Sequence, residues 1–388
     1  MLPFDNLSGD PEQEYFSDGM AEDLITDLSK ISSLSVAARN SSFSFKGQMP
    51  DVADVAGKLG VAYVLEGSVR KMGDRLRINA QLIDGASGRH IWAERYDGDM
   101  AEIFDFQDRI REEIVSALKI NLTPADKALS EHKQTDSVEA YDLFLKGRAD
   151  VHRATFDHLL AAINNLEQAI AIDPDFADAY GYLSYCHLLG WGFMMPGFDD
   201  GADRANDLAE RAVALDGASA NAVLRLGMAQ MFLRRFDLAI ANLEKAVSLA
   251  PNNAEAYATL GQMLNYWGDP QRALELIETA FSLETFPPPT WEHYAAHSLF
   301  LLHQYDQALT RYLRSIERGS TITPAHWQLA CMYVELGRID DAHRAVETVL
   351  QITPRYTLKE FARIWPYRRA EDRDRILDGL RKAGLPES

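Results

Sequence analysis

Three things are scarce in this chain. Cysteine is the first, with only Cys186 and Cys331 among 388 residues. They fall in separate helical segments, so no disulfide framework is expected and a reduced compartment is allowed. Positive charge is the second: 39 Lys and Arg face 58 Asp and Glu, a formal net charge of −19. That balance argues against nucleic acid, whose phosphates need Lys and Arg, and against an anionic membrane surface. Long apolar runs are the third, since none approaches the ~20 residues that cross a bilayer. No charged-plus-apolar leader is read either, so a cytoplasmic place is expected, or a periplasmic one if a longer parent carries an upstream anchor. Direct membrane insertion and nucleic-acid partners are therefore not expected.

What is present is a beat. Ala205, Ala239, Ala273, Ala308 and Ala342 recur at steps of 34, 34, 35 and 34 residues, and Ala212, Ala246, Ala280, Ser315 and Val349 follow seven residues behind. Within each segment, positions such as 239, 243 and 246 share one helical face. Two of those three are alanine, which lets paired helices approach closely, as does Gly227 on the facing helix. Pro251 has no N–H with which to continue the helix, so it closes the unit. A period of 34 residues built this way resembles the tetratricopeptide repeat.

Residues 220–253 are the cleanest copy, and Tyr257-to-Ala280 and Leu329-to-Pro354 repeat it. Weaker copies start at Tyr141, Tyr180 and Trp291. Six repeats over 140–356 are expected, with the polar helices of 357–388 as a C-terminal cap. The step from Ala162 to Ala205 is longer, and Gly190–Phe198 is the insert. Its Trp, Phe and two Met suit either a loop folded over the neighbouring repeat or a partner-binding flap.

The front of the chain keeps a different rhythm. Phe16, Met20, Leu24, Leu28 and Ile31 mark an amphipathic helix. Tyr63–Val69, Leu76–Leu82 and Ile91–Tyr96 alternate with period two and are separated by Met72-Gly-Asp74 and Gly85-Ala-Ser-Gly88, which predicts an antiparallel meander. Ile103 to Leu122 forms a closing helix. The expected order is strand, helix, strand, short helix, three strands, helix. The fold class is thus an α+β N-terminal domain over 1–122, a linker over 123–139, and an all-α solenoid of tetratricopeptide type.

Leu2-Pro-Phe-Asp-Asn-Leu-Ser-Gly-Asp-Pro11, Tyr15-Phe-Ser-Asp-Gly19, Val64-Leu-Glu-Gly-Ser-Val-Arg70 and Trp92-Ala-Glu-Arg-Tyr96 resemble the TolB N-terminal-like domain. Joined to the repeats, the pair is similar to the C-terminal regulatory half of proteobacterial class III adenylate cyclases, and to that of some winged-helix regulators. The resemblance implies signal transduction, with the effector supplied by another domain. Since Met1 abuts Leu2, the first strand is expected to be clipped and the chain to be a piece of a longer protein, or one whose effector domain lies upstream or is lost.

Candidate chemistry is thin. His293 and His297 have the i, i+4 spacing of a zinc pair, but no Glu follows His293 and no third ligand is evident. Asp5, Asp10, Asp18 and Asp23 crowd the N-terminus, yet they read as turn and helix-start residues rather than a two-metal set. Gly85–Gly88 joins two strands, so it reads as a hairpin and not a phosphate cradle. No catalytic residue, metal or cofactor is expected. The expected activity is protein binding through the groove lined by the first helices of the repeats. Asn221, Met228, Met231, Glu255, Gln262, Asn265, Tyr266, Glu292, Trp327 and Cys331 are the residues expected to face it.

Overall fold

The computed structural model describes residues 1–31, 33–48, 51–123, 134–153, 155–320 and 323–388. The expected linker over 123–139 lies largely outside the described residues. Two compact units are present. The first comprises Met1–Leu183 with Leu249–Asn253 and Leu283–Phe286; the second comprises Ser184–Ser248, Ala254–Ser282 and Pro287–Ser388.

The first unit is built on one sheet. Strand β1 (Asp5–Asn6) pairs in parallel with β2 (Tyr63–Met72), and β3 (Arg75–Asp84) and β4 (His90–Asp99) continue as an antiparallel meander in the order β1-β2-β3-β4. Period-two alternation sets which face is buried. Leu65, Val69, Ile78, Ala80, Leu82 and Tyr96 are buried. The opposite face is apolar at one end, where Val64 pairs with Ile83, and polar beyond it, with Glu66 facing Gln81 and Asn79 bonded to Ser68. Helices α1 (Glu14–Ser29) and α4 (Ile103–Ala117) carry the apolar stripes that pack in this unit.

One expected element is missing. The strand expected between the first helix and the short helix is absent among the described residues, where 34–38 are irregular. Two short helices follow instead of one, α2 (Arg39–Phe43) and α3 (Val52–Leu59). The apolar residues of this stretch go into a side cluster with Phe45, Val55, Leu59 and Val64, against which Ala37 packs. Side-chain burial there replaces sheet pairing.

The rest is helical and paired: α5 (Val138–Arg153) with α6 (Phe156–Ile172), α7 (Ala177–Gly192) with α8 (Gly201–Leu215), α9 (Ala220–Phe232) with α10 (Phe236–Leu249). The series continues through α11 (Ala254–Trp267) and α12 (Pro270–Leu283), α13 (Pro289–Leu301) and α14 (Tyr305–Glu317), and α15 (Thr323–Glu335) and α16 (Ile339–Ile352). The alanines of the beat are fully buried. A Cβ on Gly227 would stand 2.7 Å from Leu243 Cγ, and one on Gly261 2.6 Å from Ile277 Cγ1. Glycine is therefore required where α9 and α11 cross their partners.

The first unit runs past the boundary at 122 drawn from the sequence, because α5 is bonded to α1. Arg148 Nη1 donates to Asp23 Oδ1 at 2.6 Å and Nη2 to the Gly19 carbonyl at 2.8 Å. Tyr141 Oη also donates to Asp23, and takes a bond from Gln107 Nε2 at 2.8 Å. Arg39 Nε reaches Glu22 at 2.8 Å. Burial alone would raise the Glu22 carboxyl, but Arg148, His152 and Arg39 outweigh it and hold it well below the usual range. Lys71 on β2 adds a bond of 2.7 Å to Asp142.

Two helices close the chain, α17 (Leu358–Ile364) and α18 (Ala370–Lys382). Between them residues 365–369 are not helical, and Pro366, with no N–H to give, is one reason.

Candidate functional site

In the second unit the first helices α9, α11, α13 and α15 bring a row of rings together. Phe232 and Tyr266 stand one repeat apart, with ring centroids 6.3 Å from each other. Tyr266 lies 5.5 Å from the His297 ring, which lies 6.4 Å from Trp327. This row is the floor of the groove, and it is occupied. Trp365 stacks on Tyr266 at 5.8 Å and sits 5.7 Å from Trp327 and 6.1 Å from Phe232. Phe361 meets Trp327 edge-on at 5.0 Å, and Tyr367 meets Tyr266 at 5.1 Å. Offset and edge-to-face arrangements of this kind are the favourable ones for aromatic pairs.

Polar bonds fix the occupant's backbone. Arg234 Nη2 donates to the Ala362 carbonyl at 2.9 Å and Nη1 to the Trp365 carbonyl at 3.4 Å. The Arg368 N–H donates to the Tyr266 carbonyl at 2.9 Å. Trp365 Nε1 donates to Tyr356 Oη at 2.5 Å. Farther on, Cys331 Sγ lies 3.6 Å from the Ile376 carbonyl of α18.

His297 sits at the centre. Gln262 Nε2 donates to Tyr266 Oη at 2.9 Å and faces His297 Nδ1 at 3.4 Å, while Tyr367 Oη lies 2.8 Å from His297 Nε2. With Nδ1 accepting, Nε2–H is the donor to Tyr367. Burial, then His293 and Arg375, push His297 down to about 3, so it stays neutral. Burial does the same to His293. These two residues are core groups and not a metal pair.

Seven of the ten positions expected to face the groove are covered. Met231, Gln262, Asn265, Tyr266, Glu292, Trp327 and Cys331 are all buried. Tyr266 and Trp327 lie under the aromatic rings of 361–367, and Cys331 lies under α18. Gln262 and Asn265 are bonded to each other at 3.3 Å, and Asn265 Nδ2 also reaches the Tyr294 carbonyl at 3.3 Å. Glu292 points elsewhere: it takes bonds of 2.9 and 3.5 Å from Arg311 and Arg314 on α14, the second helix of its own pair. Asn221 and Met228 are half-buried, and Glu255 is exposed with a bond of 3.1 Å from Arg225.

The other candidates are placed as structure. Asp10 caps the Glu12 N–H at 3.0 Å, Asp18 pairs with Lys46, and Asp23 is held by Arg148. Among the described residues no group of three or more His, Cys, Asp or Glu could hold a metal ion. The Gly85–Gly88 turn is closed by Asp84 accepting from the Ser87 N–H at 2.7 Å, with Gly88 at φ +66°. In the Gly190–Phe198 insert Trp191 and Phe198 are buried, Phe198 against Gly190 and Trp191 edge-on to Phe232 of the next pair at 5.7 Å, so the loop is folded onto the array. Among the described residues no helix is long and apolar enough to cross a membrane.

The residues missed from the sequence are Phe361, Trp365, Tyr367 and Arg234. Phe361 to Tyr367 places three aromatics and a proline in seven residues of a tail read as polar. That density was the signal to follow.

Residues 220–253 match the tetratricopeptide repeat family. A protein of Rhizobium meliloti (strain 1021) named "Putative adenylate cyclase 3" is 44% identical over 241 residues, which are 61% of this chain and 40% of that protein. The matched region thus spans well under half the length of the curated relative. Among solved structures, pilF of Pseudomonas aeruginosa is 19% identical, covering 58% of this chain and 95% of its own, with a TM-score of 0.40. A thermophilic TPR protein of Thermus thermophilus is 17% identical, covering 54% and 99%, also at 0.40.

Proposed function

We propose that this chain is a non-catalytic interaction module that binds protein through its repeat array, and that its setting is the control of a class III adenylate cyclase. The observation that carries the reading is the run of helix pairs locked at Gly227 and Gly261, whose first helices line an aromatic groove that in this chain is filled by residues 361–367. Stacked helix pairs build continuous binding surfaces and seldom a chemical pocket. The name of the Rhizobium relative supports the cyclase setting over the winged-helix alternative. The resemblance of residues 1–122 to the TolB N-terminal-like domain fits the same reading. With a net charge of −19, protein partners with basic surfaces suit the chain better than nucleic acid. A cytoplasmic site of action goes with a cyclase partner, whose substrate ATP is cytoplasmic.

The test has two arms. The full chain, incubated with ATP and Mn²⁺, should yield no cyclic nucleotide above a buffer blank; product abolished by a substitution in this chain would overturn the non-catalytic part. Cross-linked capture in the native host should recover a cyclase catalytic region or its regulators. Recovery of nothing above a control chain would count against the interaction role.

A further inference from the structure

The second unit already contains a bound peptide, and it is its own. Phe361, Trp365 and Tyr367 sit on Phe232, Tyr266, His297 and Trp327, residues of four successive first helices. A cap needs to cover only the last helix pair, whereas this segment reaches back to α9. Arg234 and the Tyr266 carbonyl hold it by main-chain atoms, the part of a ligand that any sequence offers.

Two further observations bear on what the groove accepts. Residues 355–369 carry Arg355, Lys359, Arg363, Arg368 and Arg369 against Glu360 alone, inside a chain of net charge −19. The occupant is the basic piece of an acidic protein. It is also an imperfect fit: Trp327, whose ring meets Phe361 and Trp365 of the occupant, keeps its Nε1 buried without a hydrogen-bond partner among the described residues. Buried polar atoms left unpaired are costly, and a ligand that bonded them would be preferred.

Building on the protein-binding role proposed above, we propose that the groove is a site for a basic, aromatic, proline-containing segment of a partner protein, and that residues 356–367 hold it shut by occupying it in cis. The partner displaces the cis segment by presenting the same chemistry together with an acceptor for Trp327 Nε1.

The probe is a fluorescein-labelled peptide of residues 354–370, titrated into the full chain by anisotropy. The chain carrying Trp365→Ala and Tyr367→Ala should bind it at least tenfold more tightly than the wild type, and raising salt should weaken that binding. A peptide with its five basic residues replaced by Glu should not bind. No gain in a folded variant, or equal binding of the acidic peptide, overturns the proposal. Should the variant lose its helical circular dichroism, the wild type decides by hydrogen exchange. Excess peptide should speed exchange across 357–367 at least tenfold, and unchanged rates overturn the proposal. Failure here would leave cross-linked capture by the full chain intact, since a partner could dock on another surface. Failure of capture alone would leave peptide binding intact.

Discussion

Two seams in this protein are both buried and are built from opposite materials. In the first unit α5 is tied to α1 by charge, with Arg148 bonded to Asp23 and the Gly19 carbonyl and Tyr141 bonded to Asp23. In the second, residues 361–367 are laid on the first helices by rings. A buried ion pair is directional and fails if one member leaves, because the survivor remains charged and desolvated. Aromatic packing carries no charge, so a ring that leaves strands none behind. The charged seam suits a permanent join. The aromatic seam suits a contact that another segment can take over.

Arg148→Met puts the sharpest strain on that contrast. It leaves Asp23 without its guanidinium, while Glu22 keeps Arg39, and removing one partner of a buried pair costs about 3–5 kcal/mol. Urea unfolding should report that loss, with amide protection falling first in α1 and α5. A loss below about 1 kcal/mol, in the range of exposed pairs, would erase the distinction.

Trp365→Ala should cost about 3 kcal/mol, at the lower end for large aromatic truncations. The loss should show as faster exchange in 357–388 and around Tyr266 and Trp327, with α1 and α5 unchanged. Faster exchange spread evenly over both units would mean the aromatic seam is not local.

Acid provides a third comparison. His293 and His297 are both held at about 3 in the folded chain, against an unfolded value near 6.5. Below about pH 6.5 the unfolded chain therefore binds two protons that the folded one refuses. Through these two groups stability falls as pH falls, by roughly 2 kcal/mol between pH 6 and 5. His187, lowered to about 4 by burial, adds to the fall, and Glu284, raised to about 7 by burial, opposes it. His297→Gln should remove about half of the share carried by His293 and His297. An unchanged slope would show that other groups carry it.

The smallest effect is expected at Lys71→Met. Lys71 bonds Asp142 at 2.7 Å, but the pair is partly exposed and Asp142 keeps Lys146 and Tyr15. The cost should stay under about 1 kcal/mol by urea unfolding. A loss matching Arg148→Met would show that charge, not burial of charge, sets the strength of the first seam.

Local pattern explains which of these features were readable in advance. The alanine beat reports a contact between neighbouring helices, and neighbours in space are neighbours in sequence there. The meander was readable for the same reason, since Tyr63–Met72, Arg75–Asp84 and His90–Asp99 are joined by short turns. The strand expected near 34–38 failed because apolar residues also serve a side cluster, and alternation alone cannot tell the two apart. The groove failed differently. Tyr266 and Trp327 do line it, yet what covers them comes from Phe361, Trp365 and Tyr367, and no period links positions so far apart. Arg148 with Asp23 is equally silent in sequence, one charge on each of two helices.

The central claim is that the groove binds a peptide only when its own tail lets go, and one substitution can hold the tail in place. A Cβ on Gly379 would stand 3.3 Å from Cys331 Sγ and 3.5 Å from its Cβ, at the short end of disulfide geometry. Gly379→Cys therefore allows one chain to be studied with α18 fastened to α15 or free. Binding of the 354–370 peptide should be at least tenfold tighter in the reduced form than in the oxidised form, with full reversal on adding reductant. Equal affinity in the two states, with the disulfide verified by mass, would contradict the account.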